Sequence, residues 1–293
     1  MDLETLNPDA VEEIFARHGA SSITLTDAGD MPVLEPAPGE TPLWRDTRIT
    51  GLFSPDADLG ALRADLLQSL SIDDLSENHV SVLADRAWER EWRRDFGPMQ
   101  FGSRLWICPG DSSVDDDDDD AVVIRLDPGL AFGTGTHAST ALCLDWLDGL
   151  NLHGFTVLDY GCGSGVLAIA ALLLGSNSAV AMDIDPQAVA ATQDNAARNN
   201  VDGQLTVVGC AEEIDGTFDV VVANILANPL IELAELIAGR VNGGCLLALS
   251  GILSEQVDQV LEAYRPWIEF DEPVTRQQDA QTWARLTGRR IEG

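Results

Sequence analysis

Phe155-Thr156-Val157-Leu158-Asp159-Tyr160-Gly161-Cys162-Gly163-Ser164-Gly165 is an apolar, β-branched run that breaks into alternating glycines. The apolar stretch Val166–Leu174 follows at once. This order predicts a strand, a tight turn and a helix. Glycines at such a turn let backbone approach a ligand closely beside a helix N-terminus. The spacing is Asp-x-Gly-x-Gly-x-Gly, whereas a dinucleotide fingerprint counted from Gly161 needs a small residue where this chain has Val166. A nicotinamide enzyme is therefore disfavoured. A tight turn that binds nothing is the plainer reading of the glycines, and the flanking sequence has to decide.

Downstream, strands are expected at Phe155–Asp159, Ala179–Asp183, Leu205–Val208, Phe218–Ile225 and Cys245–Leu249. Helices are expected between them at Leu167–Leu174, Gln187–Asn199, Leu230–Ala238 and Ser254–Tyr264. Repeated strand–helix alternation is the signature of a parallel sheet covered on both faces. Trp267–Phe270 and Thr282–Leu286 read as a closing antiparallel pair. Ligands of open α/β sheets bind at the carboxyl ends of the strands, and two polar residues fall there. Asp183 lies 22 residues after Gly161, near the ~20-residue offset at which an acid receives a ribose hydroxyl. Asp185 precedes Pro186 and reads instead as a helix N-cap. Asn224 ends an apolar run; it can turn the chain, or its amide oxygen can accept a hydrogen bond from a substrate amine.

Upstream, Asp127–Thr140 (DPGLAFGTGTHAST) is dense in Gly and Thr just before an apolar helix expected at Ala141–Leu150. Its backbone amides can wrap a ligand, with threonine hydroxyls and Phe132 as polar and apolar walls. His137 has no second ligand cluster and reads as a hydrogen-bonding structural residue. The first ~85 residues read as a small α+β unit: helix Asp9–His18, strand Ser22–Thr26, turns around Pro36–Pro42 and helix Leu59–Leu70. Asp85–Phe96, with Trp88 and Trp92 at i,i+4 spacing, reads as an amphipathic helix. Leu105–Cys108 reads as a strand. The run Asp115–Asp120 reads as an exposed loop, because calcium loops space their ligands and include a turn glycine.

The chain has 293 residues, with 17 Lys+Arg against 49 Asp+Glu and a net charge of −32. There is no lysine. A general nucleic-acid binder is excluded, since phosphate contacts need a basic face. With 45% hydrophobic residues the composition is globular and not disordered. Both halves share the acidity, which fits an acidic surface adapted to high salt, where self-repulsion is screened; it also fits attraction of a basic partner. Cys108, Cys143, Cys162, Cys210 and Cys245 are odd in number and lack any Cys-x-x-Cys pair, so neither a disulfide framework nor a zinc site is indicated. That usage fits a reducing cytoplasm. Met1-Asp2-Leu3-Glu4 lacks a signal-peptide pattern, and Val166–Leu174 is far shorter than the ~20 apolar residues of a spanning helix. A soluble, unexported protein with no membrane partner is expected.

Five blocks together, DPGLAFGTGTHAST at Asp127–Thr140, LDYGCGSGVL at Leu158–Leu167, MDIDP at Met182–Pro186, VANILA at Val222–Ala227 and LSGIL at Leu249–Leu253, resemble the PrmA-type methyltransferase family that modifies large-subunit ribosomal protein eleven. Glu35–Leu52 and the Trp88–Pro98 region are similar to that family's substrate domain and connecting helix. The resemblance implies an α/β fold: a seven-strand, Rossmann-like methyltransferase sheet at 97–293, a ferredoxin-like substrate-recognition domain at 1–84 and a connecting helix at 85–96. It implies S-adenosyl-L-methionine as cofactor, and lysine and N-terminal amines of the ribosomal protein as acceptors. Carried over position by position, the family's cofactor contacts fall on Thr140, Gly161, Asp183 and Asn224, with Asn224 also at the acceptor as the catalytic candidate. Gly163 and Phe132 are added as cofactor-site candidates on the loop geometry, and no metal is expected. The family's opening hydrophobic strand is short or missing here, because Met1–Glu4 almost abuts the first helix. Two other functions fit the same motifs: a same-fold methyltransferase acting on another protein or a small-molecule amine, and a non-catalytic cofactor-binding protein on the ribosome.

Overall fold

The computed structural model describes residues 1–3, 6–29, 44, 46–72, 75, 79–82, 97–110, 112, 120–126 and 135–292. The helix expected at 85–96, the turns at 36–42, residues 115–119 of the aspartate run, and 127–134 with Phe132 lie outside the described residues. The chain divides into two compact units, Met1–Arg86 and Ala87–Gly293.

The first unit holds α1 (Pro8–Arg17), β1 (Ser22–Asp27), β2 (Thr47–Leu52) and α2 (Leu59–Ser69). Asn7 starts α1 by accepting from the Asp9 N–H, with Pro8 at the first helical position, where its missing N–H costs nothing. β1 and β2 pair antiparallel from Ser22↔Leu52 to Asp27↔Thr47. Val11, Ile14 and Phe15 of α1 meet Ile49 of β2 and Leu62 and Leu66 of α2 in one core. Residues 1–3 are extended and pair with β2 through the Asp2↔Arg48 bridge and the bond from Leu3 N–H to the Thr47 carbonyl, 2.8 Å. An extended segment followed by α, β, β, α is the order of a ferredoxin-like unit up to its second helix.

The second unit opens with a three-stranded sheet of β3 (Met99–Phe101), β4 (Leu105–Cys108) and β5 (Val122–Arg125). Of these three, the sequence pattern predicts β4 alone. Next come α3 (Ala138–Asp148), β6 (Thr156–Tyr160), α4 (Val166–Leu173), β7 (Ser178–Met182), α5 (Pro186–Arg198), β8 (Leu205–Val208) and β9 (Phe218–Asn224). The chain finishes with α6 (Ala227–Glu232), α7 (Ala234–Gly239), β10 (Val241–Leu253), α8 (Val257–Tyr264), β11 (Ile268–Phe270), β12 (Val274–Gln278) and β13 (Gln281–Arg290).

The large sheet runs β11-β13-β10-β9-β6-β7-β8, with β12 paired on β13. The pairs among β6 to β10 are parallel, and β13 is antiparallel to β10, β11 and β12. The seven strands expected form the continuous path and β12 is an eighth. Its sequence, Val-Thr-Arg-Gln-Gln, carries no apolar alternation because its residues are mostly exposed. The single helix expected over Leu230–Ala238 is two, separated at Leu233. β9 shows why the central strands read as unbroken apolar runs: Val220 and Val222 enter the core with Leu144, Leu147 and Ile169, while Val221 and Ala223 enter the one with Leu247, Leu249 and Tyr264. Both faces of the sheet are covered, so the central strands carry apolar residues on both.

Candidate functional site

β6 lies between β7 and β9, with Tyr160 opposite Met182 on one side and Ala223 on the other. Gly161, Asp183 and Asn224 therefore leave the sheet side by side at its carboxyl edge. With strands about 4.8 Å apart, Asp183 and Asn224 stand about 10 Å apart across the glycine loop. The sheet grows from β6 toward β7 and β8 in one direction and toward β9 and β10 in the other. This is the switch point at which open α/β sheets leave a crevice.

The glycine loop is held in a shape that only glycine takes cheaply. Gly161, Gly163 and Gly165 have φ of 77°, 54° and 76°. The N–H groups of Gly161 and Cys162 both donate to the Met182 carbonyl, at 2.8 and 3.0 Å. A Cβ on Gly161 would sit 2.3 Å from the Ile225 Cγ2. From α5, Thr192 Oγ1 donates to the Gly163 carbonyl at 3.0 Å and Asn195 Nδ2 to the Ser164 carbonyl at 2.9 Å. The Gly163 N–H donates to Asp183 Oδ2 at 2.9 Å, and the Asp185 N–H to Asp183 Oδ1 at 3.0 Å. Asp183 is thus fixed across the loop by both oxygens, each with a lone pair to spare. Asp185 caps α5 through the Gln187 N–H at 2.9 Å.

Asn224 closes the other side. Its Nδ2 donates to Thr140 Oγ1 at 3.2 Å, and its Oδ1 is buried with no hydrogen-bond partner among the described residues. Thr140 lies in the first turn of α3 and is buried. His137 is the N-cap of that helix: its Nδ1 accepts from the Ser139 N–H, and its ring meets Trp283 edge-on with centroids 4.3 Å apart. Two large apolar side chains stand exposed at the same edge, Ile184 at 83% and Leu226 at 50%. Among the described residues there is no group of three or more metal-capable side chains, and no helix is long and apolar enough to cross a membrane.

The structure thus brings Gly161, Gly163, Asp183, Thr140 and Asn224 to one edge. Sequence reasoning missed Thr192 and Asn195, whose service to the loop leaves no trace in α5's polar pattern. It also passed over Asp159 as a mere part of the spacing. Asp159 is 1% exposed; its Oδ2 accepts from the Ala168 N–H at 3.1 Å, and its Oδ1 has no partner among the described residues. Burial pushes its carboxyl from 3.8 up to about 7; the Ala168 N–H opposes this and the Asp183 charge adds to it.

A stability effect follows. Between about pH 4 and pH 7 the folded chain keeps a proton that the unfolded chain has released, so stability falls as pH rises through that window. A shift of about three units is worth about 4 kcal/mol. Asp159→Asn should therefore match the parent near pH 4 and exceed it by a few kcal/mol above pH 7. Urea unfolding at both ends of the window measures this, and an equal difference at the two pH values would contradict it.

The sequence profile of the family described as "Ribosomal protein L11 methyltransferase (PrmA)" matches residues 2–291. A relative named "Ribosomal protein L11 methyltransferase" from Methylococcus capsulatus is 49% identical over 288 residues, covering 97% of this chain and 96% of the relative. Another of the same name, from Edwardsiella ictaluri, is 50% identical over 281 residues, covering 96% of this chain and 94% of its own. Among solved structures, a ribosomal protein L11 methylase from Lactobacillus delbrueckii subsp. bulgaricus is 30% identical with a TM-score of 0.59, covering 67% of this chain and 99% of its own. With a profile match from end to end and relatives of this identity and coverage, the chain belongs to the ribosomal protein L11 methyltransferase family.

Proposed function

We propose that this chain transfers methyl groups from S-adenosylmethionine to lysine side-chain and N-terminal amines of ribosomal protein L11. The observation that carries the reading is the Oδ1 of Asn224, buried and without a partner among the described residues, an acceptor at a sheet edge where a buried polar atom ordinarily has one. An amine N–H supplies the missing donor.

The residues present fit the cofactor. A Cβ would fill the cradle at Gly161, and Asp183 keeps lone pairs for two ribose hydroxyls. Gly161, Gly163 and Asp183 would hold the nucleoside, with Thr140 and Phe132 as further cofactor contacts. When bound, S-adenosylmethionine supplies a methyl group on a positively charged sulfur. The chain's part is to hold the amine in line and keep its lone pair available. Asn224 Oδ1 accepts one amine hydrogen and so fixes the direction of the nitrogen lone pair. An amine attacks only when neutral, and a lysine amine ordinarily holds its proton to pH ~10.4. Desolvation favours the neutral form, and Ile184 and Leu226 give the edge an apolar rim. No side chain in this geometry is needed as a base, since the proton passes to water before the amine is enclosed.

The unit at 1–84 would capture the protein substrate, with 85–96 joining it to the methyltransferase unit at 97–293. A net charge of −32 would draw in a basic ribosomal protein, and ribosomes place the enzyme in the cytoplasm. Incubating the chain with ribosomal protein L11 and S-adenosylmethionine, then mapping peptides by mass spectrometry, tests the reading. Whole methyl increments on lysine or the N-terminal amine support it. Cofactor binding with no increments on that protein would overturn it and favour another acceptor or a non-catalytic role.

The same charge sets a salt dependence. Self-repulsion among 49 acids and 17 cations is screened as the Debye length falls from ~10 Å at 0.1 M to ~3 Å at 1 M. The thermal midpoint should rise steadily over that range of potassium chloride, and a flat response would refute an acidic surface adapted to salt.

A further inference from the structure

We propose that one face of the β12–β13 hairpin is a clamp that positions the acceptor site through α3, with Gln278 as its leading positioning residue. This inference rests on the reading of Asn224 given above.

Paired residues of an antiparallel ladder share a face, as do residues two apart along one strand. The register pairs Val274 with Arg285, Arg276 with Trp283 and Gln278 with Gln281, so Arg276, Gln278, Trp283 and Arg285 all project from the same side of the hairpin. Every one of them meets α3 or its cap. Gln278 Oε1 accepts from the Ala138 N–H at 2.5 Å, Arg285 Nη1 donates to the Leu142 carbonyl at 2.5 Å, and Arg276 Nη2 donates to Asp145 Oδ2 at 2.9 Å. Trp283 packs on His137. Positions 138, 142 and 145 are i, i+4 and i+7, a single stripe along the helix. The opposite side of β13 is spent on the core, with Ala284 and Leu286.

The match matters because of what α3 carries. Its first turn has N–H groups with no partner inside the helix. Gln278 satisfies that of Ala138 and His137 that of Ser139. The next residue is Thr140, whose hydroxyl accepts from Asn224 Nδ2. That bond ties the Asn224 amide to the first turn of α3. Gln278 thus acts on the acceptor amine through Ala138, Thr140 and Asn224, without touching it.

The test compares Gln278→Leu, Gln278→Glu and Thr140→Val, singly and combined, well below each variant's melting temperature. Gln278→Leu should lower kcat on ribosomal protein L11 roughly tenfold, as a small misplacement near reacting atoms does, with KM for S-adenosylmethionine changed by less. Gln278→Glu keeps the acceptor oxygens and should restore most of the loss. In the Thr140→Val background, Gln278→Leu should add little, since both act through one hydroxyl. A lowered melting temperature with unchanged kcat would overturn the proposal, as would failure of Gln278→Glu to rescue or full additivity with Thr140→Val. If the parent chain itself shows no transfer, the function reading fails and this inference with it, an outcome distinct from an active parent with indifferent variants.

Discussion

Replacing Asn224 by alanine lowers turnover on ribosomal protein L11 by about a hundredfold or more and leaves cofactor affinity within a few-fold. The effect is large because Oδ1 is a buried acceptor already placed and without a partner among the described residues, so a substrate N–H would meet it with no reorganisation. Removing one such preorganised polar group costs about 10² to 10³ in kcat in enzymes where it has been measured. Asn224→Asp separates hydrogen bonding from charge. The carboxylate still accepts, but beside an amine it favours the protonated form, which has no lone pair to attack with. Relative to the parent at the same pH, its turnover should also fall at neutral pH and recover in part as pH rises, whereas that of the alanine variant should stay low throughout. Single-turnover rates across pH, with affinity measured by calorimetry, give both quantities. Parent-like turnover in the alanine variant would remove Asn224 from the reaction.

The sheet and the edge residues were legible for a common reason: central strands buried on both faces read as unbroken apolar runs, and a polar residue that ends such a run stands out. Asp183 and Asn224 are both of that kind. The start of α3 was not legible. Ser139 and Thr140 compete with the backbone for hydrogen bonds and are weak helix formers, so the sequence pattern starts the helix at Ala141, where the apolar run begins. In the fold His137 and a glutamine 140 residues away satisfy the first N–H groups, and the helix begins at Ala138. Thr140 therefore sits on a rigid first turn. β12 was invisible for a related reason: it buries nothing itself, and one of its exposed side chains, Arg276, works by pairing with Asp145 on α3. Tertiary hydrogen bonds leave no period in a sequence, and Asp159, Thr192, Asn195 and Gln278 all act through them.

Replacing Asp183 by alanine should weaken S-adenosylmethionine binding by about a hundredfold or more. Hydrogen bonds to a charged acceptor are worth about 1.5–3 kcal/mol each, and two ribose hydroxyls on one carboxylate give at least that factor after solvent competition. Part of the loss comes from the loop itself, because Asp183 holds the N–H groups of Gly163 and Asp185. A cofactor analogue lacking ribose hydroxyls separates the two contributions. If Asp183 receives those hydroxyls, the parent discriminates strongly against the analogue and the alanine variant hardly at all. If the residue only braces the loop, both proteins discriminate alike while the variant binds each ligand more weakly. Asp183→Asn keeps one acceptor oxygen and should fall between, bracing Gly163 or the ribose but not both at full strength. Direct binding measurements on the three proteins with the two ligands settle which role dominates, and equal affinity of parent and alanine variant for S-adenosylmethionine would exclude both.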